Sequence, residues 1–148
     1  MANTTAMCTS FKGELLTGTH NFTPSTGNTF KAALYFATGS LGAATTAYST
    51  TDEVTNTSGT GYTAGGVTVT NATAPTTSGT TAYWTPSASF SWSALTITTA
   101  FDAVLIYNSS ASNKAVSVHT FGSQTVTAGT FTLTMPTNNA TTGLLRIA

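Results

Sequence analysis

The stretch that decides the fold is FDAVLIYNSSASNKAVSVHTF, from Phe101 to Phe121. Near its start lies an unbroken apolar run, Ala103–Tyr107, which is typical of a strand covered on both faces. An alternating run, Ala115–Phe121, follows and indicates a strand with one covered face. Residues 108–114 between the two runs are rich in Asn and Ser, as hairpin loops are. The stretch therefore predicts the central hairpin of a β-sheet protein.

The rest of the chain repeats the strand pattern on both sides of this hairpin. Thr makes up about a quarter of the residues, and its β-branched side chain favours the pleated surface of a strand. Near Ala94–Leu95 the alternation slips by one residue, which indicates a bulge or a break between two short strands. The predicted strands are 29–37, 67–73, 80–85, 90–99, 103–107, 115–121, 130–135 and 144–147.

These strands predict an all-β fold, a single-domain antiparallel β-sandwich of about eight strands that spans residues 1–148. Their spacing leaves jelly-roll and immunoglobulin-like topologies open. Residues 1–9 are expected to form a flexible amino-terminal arm, and residues 38–66 a long irregular loop rich in Gly. Residues 9–16 predict a short amino-terminal helix with Thr9 or Ser10 as its cap.

The charge of the chain is unusual, because only 5% of the residues are charged and the net charge is zero. A free soluble monomer usually keeps a net charge, so the composition favours a protein that lives in an assembly; a neutral secreted domain is the alternative. The chain has too few basic residues to neutralise a phosphate backbone; they are Lys12, Lys31, Lys114 and Arg146. No apolar run reaches about 20 residues, and no signal peptide is visible. We therefore expect no nucleic-acid partner, no membrane partner, and synthesis in the cytoplasm of the cell that makes the protein.

Catalytic and metal-binding patterns are weak. His20 and His119 have no Cys, Asp, Glu or second His at ligand spacing, so neither a metal nor another cofactor is expected. A Ser–His–Asp triad from His119 and Asp102 lacks the Gly-x-Ser-x-Gly elbow, and His119 is expected to face solvent. The adjacent acids Asp52 and Glu53 are expected to cap a turn or face solvent. These patterns predict a protein that is not an enzyme.

Asp102 stands at the start of the apolar run, which limits where it can lie. A buried carboxylate without a partner is costly. We therefore expect Asp102 either at the exposed end of its strand or hydrogen-bonded.

Four segments carry a resemblance to a known family. They are MANTTAMCTSFKGELLTGTHNF (1–22), TFKAALYFATGSLGAATTAYSTTDEV (29–54), GTGYTAGG (59–66) and AVLIYNSSASNKAVSVHTFGSQTVTAGTFTLTMP (103–136). Together they resemble a family of small tailed-bacteriophage proteins that are encoded among virion structural genes. The resemblance implies a virion component, and it brings no catalytic or metal-binding residue with it.

The resemblance, the small size and the near absence of charge lead to the hypothesis of a capsid decoration (cement) protein. Such a protein would bind the outside of the major capsid lattice as a homodimer or homotrimer and stabilise the head. The alternative is a tail, neck or fibre-associated virion protein that binds host-surface carbohydrate through Trp84 or Trp92, although aromatics in strand alternation are more often core. The candidate assembly contacts are Phe11, Leu15, Leu16, Phe22, Leu41, Tyr48 and Tyr62.

Overall fold

The computed structural model describes residues 2–55 and 61–148, which contain eight strands and one helix. All strand pairs are antiparallel. One sheet has the order β1-β7-β6-β2-β3 and the other β4-β5-β8, unlike the ABED and CFG sheets of a constant-type immunoglobulin domain. The predicted all-β fold is confirmed. The elements are β1 (Ala6–Met7), α1 (Thr9–Leu16), β2 (Phe30–Phe36), β3 (Val67–Thr68), β4 (Thr76–Ser78), β5 (Thr81–Trp84), β6 (Phe90–Asn108), β7 (Lys114–Leu133) and β8 (Leu145–Ile147).

The central hairpin forms where the sequence predicts it. β6 lies between β2 and β7, so its carboxyl-terminal half is paired on both edges. Each residue of Ala103–Tyr107 is at most 3% exposed, as expected for a strand covered on both faces. The loop between β6 and β7 places Ser112 and Asn113 at φ of 52° and 57°, in the left-handed region that Asn tolerates better than most residues.

Both strands of the hairpin are longer than predicted, because bulges interrupt their alternation without ending them. β6 joins two predicted strands into one, and β7 joins two more. The register shifts between Trp92 and Leu95, where Ala94 has a φ of 55°. The slip near Ala94 is therefore a bulge rather than a break. A second shift follows on β7, where Ala128 has a φ of 47°.

The long hairpin folds back over itself. The ring centroids of Phe101 and Phe131 lie 5.0 Å apart, and those of Phe121 and Phe131 lie 5.2 Å apart. Phe121 and Phe131 both belong to β7, and ten residues of straight strand would span about 33 Å. The distal part of the hairpin, residues 90–100 and 122–133, therefore forms a second layer over its central part.

Trp84 connects the small sheet to the large one. Its side chain is 3% exposed, and its ring lies 4.8 Å from that of Phe22. Phe22 in turn stacks on Phe30 of β2, with centroids 4.3 Å apart. The indole Nε1 of Trp84 donates a hydrogen bond to Asn71 Oδ1 at 3.0 Å. A row of aromatic rings thus joins the two sheets into one core.

The amino-terminal residues are held by the fold, which corrects the expectation of a flexible arm. β1 pairs with β7 along the edge of the large sheet. Asn3 is 7% exposed, and its Nδ2 donates to Phe36 O at 2.9 Å and to Asp102 Oδ1 at 2.6 Å. Asp102 is therefore hydrogen-bonded, as expected for an acid at the start of a buried strand. Small polar residues were a misleading sign of flexibility here, because their backbone and side chains are hydrogen-bonded to the sheet.

Helix α1 covers the predicted residues but has a different cap. The N-cap is Cys8, which has extended dihedral angles and makes no capping side-chain bond. The backbone N–H of Thr9 donates to Ala43 O at 2.8 Å. Because a carbonyl of the long loop satisfies this first N–H, the helix does not need the predicted Thr9 or Ser10 cap there.

The long loop is irregular in the parts described, residues 38–55 and 61–66. It contains no helix there, and its strand pairing is limited to isolated bridges from Glu53 to Tyr35 and from Ala47 to Lys114. Residues 56–60 lie outside the described residues. The loop runs antiparallel beside the edge of β2 here: the Val54 N–H donates to Leu34 O at 2.9 Å, and the Phe36 N–H donates to Asp52 O at 2.8 Å.

Candidate interaction surface

Helix α1 presents one side chain to the core and another to solvent. Phe11 is 1% exposed, and its ring lies 4.8 Å from the His20 ring. Leu15, four residues later, lies on the same face and is partly buried. Leu16 points about 100° further round the helix, and its exposed fraction is 91%. A large apolar side chain is thus held in solvent by a helix whose other face is anchored.

An apolar groove lies between this helix and the small sheet. Its volume is about 160 Å³. Ile147 of the edge strand β8, on its rim, is 49% exposed. Together with Leu16 it forms what we call the Leu16 surface: the groove, Leu16 and Ile147. The groove is lined by Phe11, Leu15, Phe22, Pro75, Ala82, Tyr83, Trp84, Leu145 and Ile147.

An ion-pair network fixes the helix that carries Leu16. Glu14 Oε1 lies 2.6 Å from Lys114 Nζ, and Glu14 Oε2 lies 2.7 Å from His20 Nε2. These two partners hold the pKa of Glu14 below its ordinary value, against the opposing effect of burial. The other ring nitrogen, Nδ1, faces Asn108 Nδ2 at 3.1 Å. The helix is therefore tied to both ends of the hairpin turn.

The orientation of Asn108 determines the tautomer of His20. Asn108 Oδ1 accepts from the Ser110 N–H, and its Nδ2 donates to Asn28 Oδ1. Both bonds require the amide as placed, so Nδ2 is also the donor towards His20 Nδ1. Nδ1 is then an acceptor, and the His20 proton lies on Nε2, where it is donated to Glu14. His20 therefore positions the Glu14 side chain and helps to hold helix α1 in place.

Glu53 was expected to cap a turn or face solvent, and its burial contradicts the second of these alternatives. Its side chain is 1% exposed. Oε2 accepts from the Tyr48 hydroxyl at 2.7 Å, and Oε1 accepts from the Tyr62 hydroxyl at 2.9 Å and the Gly65 N–H at 2.6 Å. Three convergent donors replace the water that the carboxylate loses on burial. Glu53 thus holds the two halves of the long loop together.

The Gly65–Gly66 turn allows this arrangement. Both residues have positive φ, 88° and 71°, and a Cβ on Gly66 would overlap the carbonyl of Ala32. The turn brings the Gly65 N–H to Glu53 and the Gly65 carbonyl to the Tyr107 hydroxyl at 2.8 Å. Glycine is therefore required at Gly66, where both the positive φ and the close approach of the Ala32 carbonyl exclude a side chain.

The tyrosines around Glu53 stay protonated. Burial, followed by the nearby Glu53 charge, raises the pKa of Tyr62 and of Tyr107, the latter to about 12. Burial and the hydrogen bond to Glu53 raise the pKa of Tyr48 as well. The Tyr48 and Tyr62 hydroxyls donate to the Glu53 carboxylate, and the Tyr62 hydroxyl also accepts from the Leu34 N–H, so these groups form a structural clasp.

The seven predicted assembly contacts fall into separate places. Two of them, Phe11 and Tyr62, are buried at 1% and 0% exposure, so they do not face a partner, and Phe22 is 9% exposed. Leu41 is partly buried and hydrogen-bonded through its backbone to the amino terminus. Phe11, Leu15 and Phe22 line the groove, and Leu16 follows Leu15 on the helix, whereas Tyr48 and Tyr62 meet at Glu53.

His119 has a serine neighbour but no acid. Its Nε2 lies 2.9 Å from Ser117 Oγ, and Ser117 is 1% exposed. Burial lowers the pKa of His119 to about 4. The ring is partly buried, so the expected solvent-facing position is only partly correct. The side-chain bond of Asp102 goes to Asn3, and the structure does not assemble the triad considered from the sequence.

Other candidate chemical groups are enclosed. The Cys8 thiol is 0% exposed, and burial raises its pKa to about 11, so it is a protonated thiol at neutral pH. Trp84 and Trp92 are 3% and 5% exposed and belong to the core. Within residues 2–55 and 61–148, no cluster of three or more His, Cys, Asp or Glu is arranged to hold a metal ion.

Known proteins provide no match to this chain. No protein-family model matches it, and neither a curated protein nor a solved structure does so. In the part of the chain that the structure describes, no helix is long and apolar enough to cross a membrane.

Proposed function

We propose that this chain is a non-enzymatic structural protein of a tailed-phage virion, and that it is a capsid decoration protein. The observation that carries the proposal is Leu16, which is 91% exposed on a clamped helix, next in the chain to Leu15 of the apolar groove. An exposed apolar patch of this kind marks an interaction site in a protein that otherwise covers its apolar residues. The family resemblance of the sequence supplies the partner, the outside of the major capsid lattice.

The mechanism needs only modest contacts. Burying one leucine side chain contributes about 1.5–3 kcal/mol, which is too little to hold a single copy on a shell. On a lattice, copies that are linked to each other bind at many sites at once, and the linkage raises the effective concentration of each contact. Bound copies that bridge neighbouring capsomers would oppose the outward pressure of packaged DNA.

The near absence of charge supports the same proposal. Four basic and four acidic residues give a net charge of zero. Of these charges, Glu14 pairs with Lys114 and Glu53 is buried. Association of such a surface would depend little on ionic strength, because few exposed charges would be screened.

Electron microscopy of the virion tests the location. The expected result is density of this fold on the exterior of the shell, at hundreds of copies per particle. A shell exterior without it, or a handful of copies at the tail or neck, contradicts the decoration role. The latter result would favour the tail-associated alternative, although buried Trp84 and Trp92 do not offer the sugar platform that was considered for it.

Substitution of Leu16 tests the surface. Leu16→Gln should lower the occupancy of purified protein on undecorated heads, because the buried apolar contact is lost. Thr98→Gln, at an exposed threonine of β6, is the matched control and should bind as the wild type does. If the two variants occupy undecorated heads equally, the Leu16 surface is not the contact with the capsid.

A further inference from the structure

The outer edge of β7 is the longest free strand edge in the described part of the chain. β7 is 20 residues long and pairs with β6 along its length. On its other side β1 covers only Ser117 and Val118. Among the described residues, no backbone hydrogen bond joins the outer edge of 121–133 to another segment. The other edge strands, β1, β3, β4 and β8, are two or three residues long. The second free edge of the hairpin, residues 90–99 of β6 beyond the end of β2, is shorter than 121–133.

This edge lacks the features by which proteins keep strand edges apart. Natural edges are usually short, or carry charges, inward Lys residues or Pro. From Ala115 to Leu145 the sequence has no Asp, Glu, Lys or Arg, and β7 contains no Pro. The bulge at Ala128 does interrupt the edge. It leaves Gly129–Leu133 as a regular, unprotected run.

The side chains of this run alternate in a way that suits pairing with itself. Thr130 and Thr132 are exposed, whereas Phe131 and Leu133 are partly buried on the other face. In an antiparallel pair about a two-fold axis through Phe131, Thr130 lies opposite Thr132 of the second copy. Apolar residues then meet apolar residues on the opposite face, and register is preserved. Cross-strand Thr pairs of this kind are favourable.

We propose that a second copy of this chain pairs with Gly129–Leu133 through its own Gly129–Leu133 run, making a two-fold dimer with a continuous β-sheet across the interface. The partner copy covers the partly exposed rings and side chains of Phe131 and Leu133. Zero net charge on both copies removes net electrostatic repulsion from their approach. The proposal does not rest on the decoration role, since the Leu16 surface is a different part of the molecule.

Sedimentation equilibrium over a range of concentrations tests the dimer. The wild type should give a mass of about twice 15.1 kDa at high concentration. Thr130→Lys combined with Thr132→Lys should raise the dimer dissociation constant by about tenfold or more, because charges on the edge face each other across the two-fold axis. Thr98→Lys, on the far side of the hairpin in β6, adds the same kind of charge away from the β7 edge and should leave the constant within about twofold.

Amide hydrogen exchange identifies the surface. Dimer formation should slow hydrogen exchange at those backbone amides of 129–133 that point away from β6, which are every second one. Circular dichroism should show that the Lys variants remain folded. A monomer at every concentration overturns the proposal. A dimer unaffected by the Lys pair but lost in Leu16→Gln also overturns it, because the interface would then be the Leu16 surface. Strand addition by a different protein to a monomeric chain would likewise contradict pairing with a second copy.

Discussion

Phe121 and Phe131 belong to one strand, yet their ring centroids lie 5.2 Å apart. The contact is possible because the hairpin bends back on itself between them, and Phe101 of the facing strand completes the cluster at 5.0 Å from Phe131. Most of the two-layered core therefore depends on one strand pair. The rings of the distal layer are the contacts that hold the bend closed.

Phe131→Ala should destabilise the protein. The ring is partly buried and touches Phe101, Phe121 and, at 6.0 Å, Trp92. Fully buried Phe→Ala changes cost roughly 3–5 kcal/mol, so we expect a loss near the lower end of that range, measured by urea denaturation. Thr130→Ala, at the exposed neighbouring position, should cost less than about 1 kcal/mol. Equal losses for the two variants would mean that the rings do not hold the layers together.

At the bulge, by contrast, the substitution of Ala94 by Gly is expected not to lower the free energy of unfolding. Ala94 has a φ of 55°, a region that costs an L-residue about 1–2 kcal/mol and that Gly adopts freely. Ala94→Gly should therefore leave the free energy of unfolding unchanged or raise it by up to about 1 kcal/mol. Ala94→Val should lower it, because a β-branched residue fits this region poorly. A clear loss of stability in Ala94→Gly would contradict the bulge geometry.

The central hairpin was predictable because its signals are local. The apolar run Ala103–Tyr107 and the alternation after the loop each identify a strand, and the slip at Ala94 marks the position of the bulge without distinguishing it from a break. The folding back of the hairpin was not predictable, since it depends on Phe131 meeting rings ten residues away in the same strand. Periodicity reports which face a residue occupies and carries no information about which layer covers that face.

The candidate site was predictable only in part. The sequence singles out Leu15, Leu16 and Phe22 as apolar residues of the amino-terminal segment; Leu15 and Phe22 line the groove, and Leu16 follows Leu15 on the helix. Phe11 was selected on the same basis and is core, because helical spacing does not say which apolar position faces the sheet. Glu53 was missed, since acids are usually exposed. The nearby tyrosines and the Gly65–Gly66 turn were the only signal that it had partners.

Glu53→Ala should be strongly destabilising. The change leaves the Gly65 N–H and the hydroxyls of Tyr48 and Tyr62 without their acceptor, and each unsatisfied buried group costs about 1–3 kcal/mol. Glu53→Gln keeps one oxygen acceptor and should lose less. Asp52→Asn is the control, because Asp52 is exposed at a φ of 60° that Asn tolerates. Thermal unfolding of the three variants should rank them in that order, and a small effect of Glu53→Ala would show that water replaces the carboxylate.

His119 should make the protein less stable in mild acid. Burial lowers its pKa from 6.5 to about 4 in the folded chain, so between these values the unfolded state binds more protons than the folded state. The free energy of unfolding therefore falls as the pH drops from about 6.5 towards 4, with a slope of at most about 1.4 kcal/mol per pH unit from this group. His119→Gln can still accept the Ser117 hydroxyl but does not titrate, so its stability should fall less steeply over that window. Urea denaturation of both proteins at several pH values measures the difference; parallel curves would mean that His119 is as accessible to protons in the folded chain as in the unfolded one.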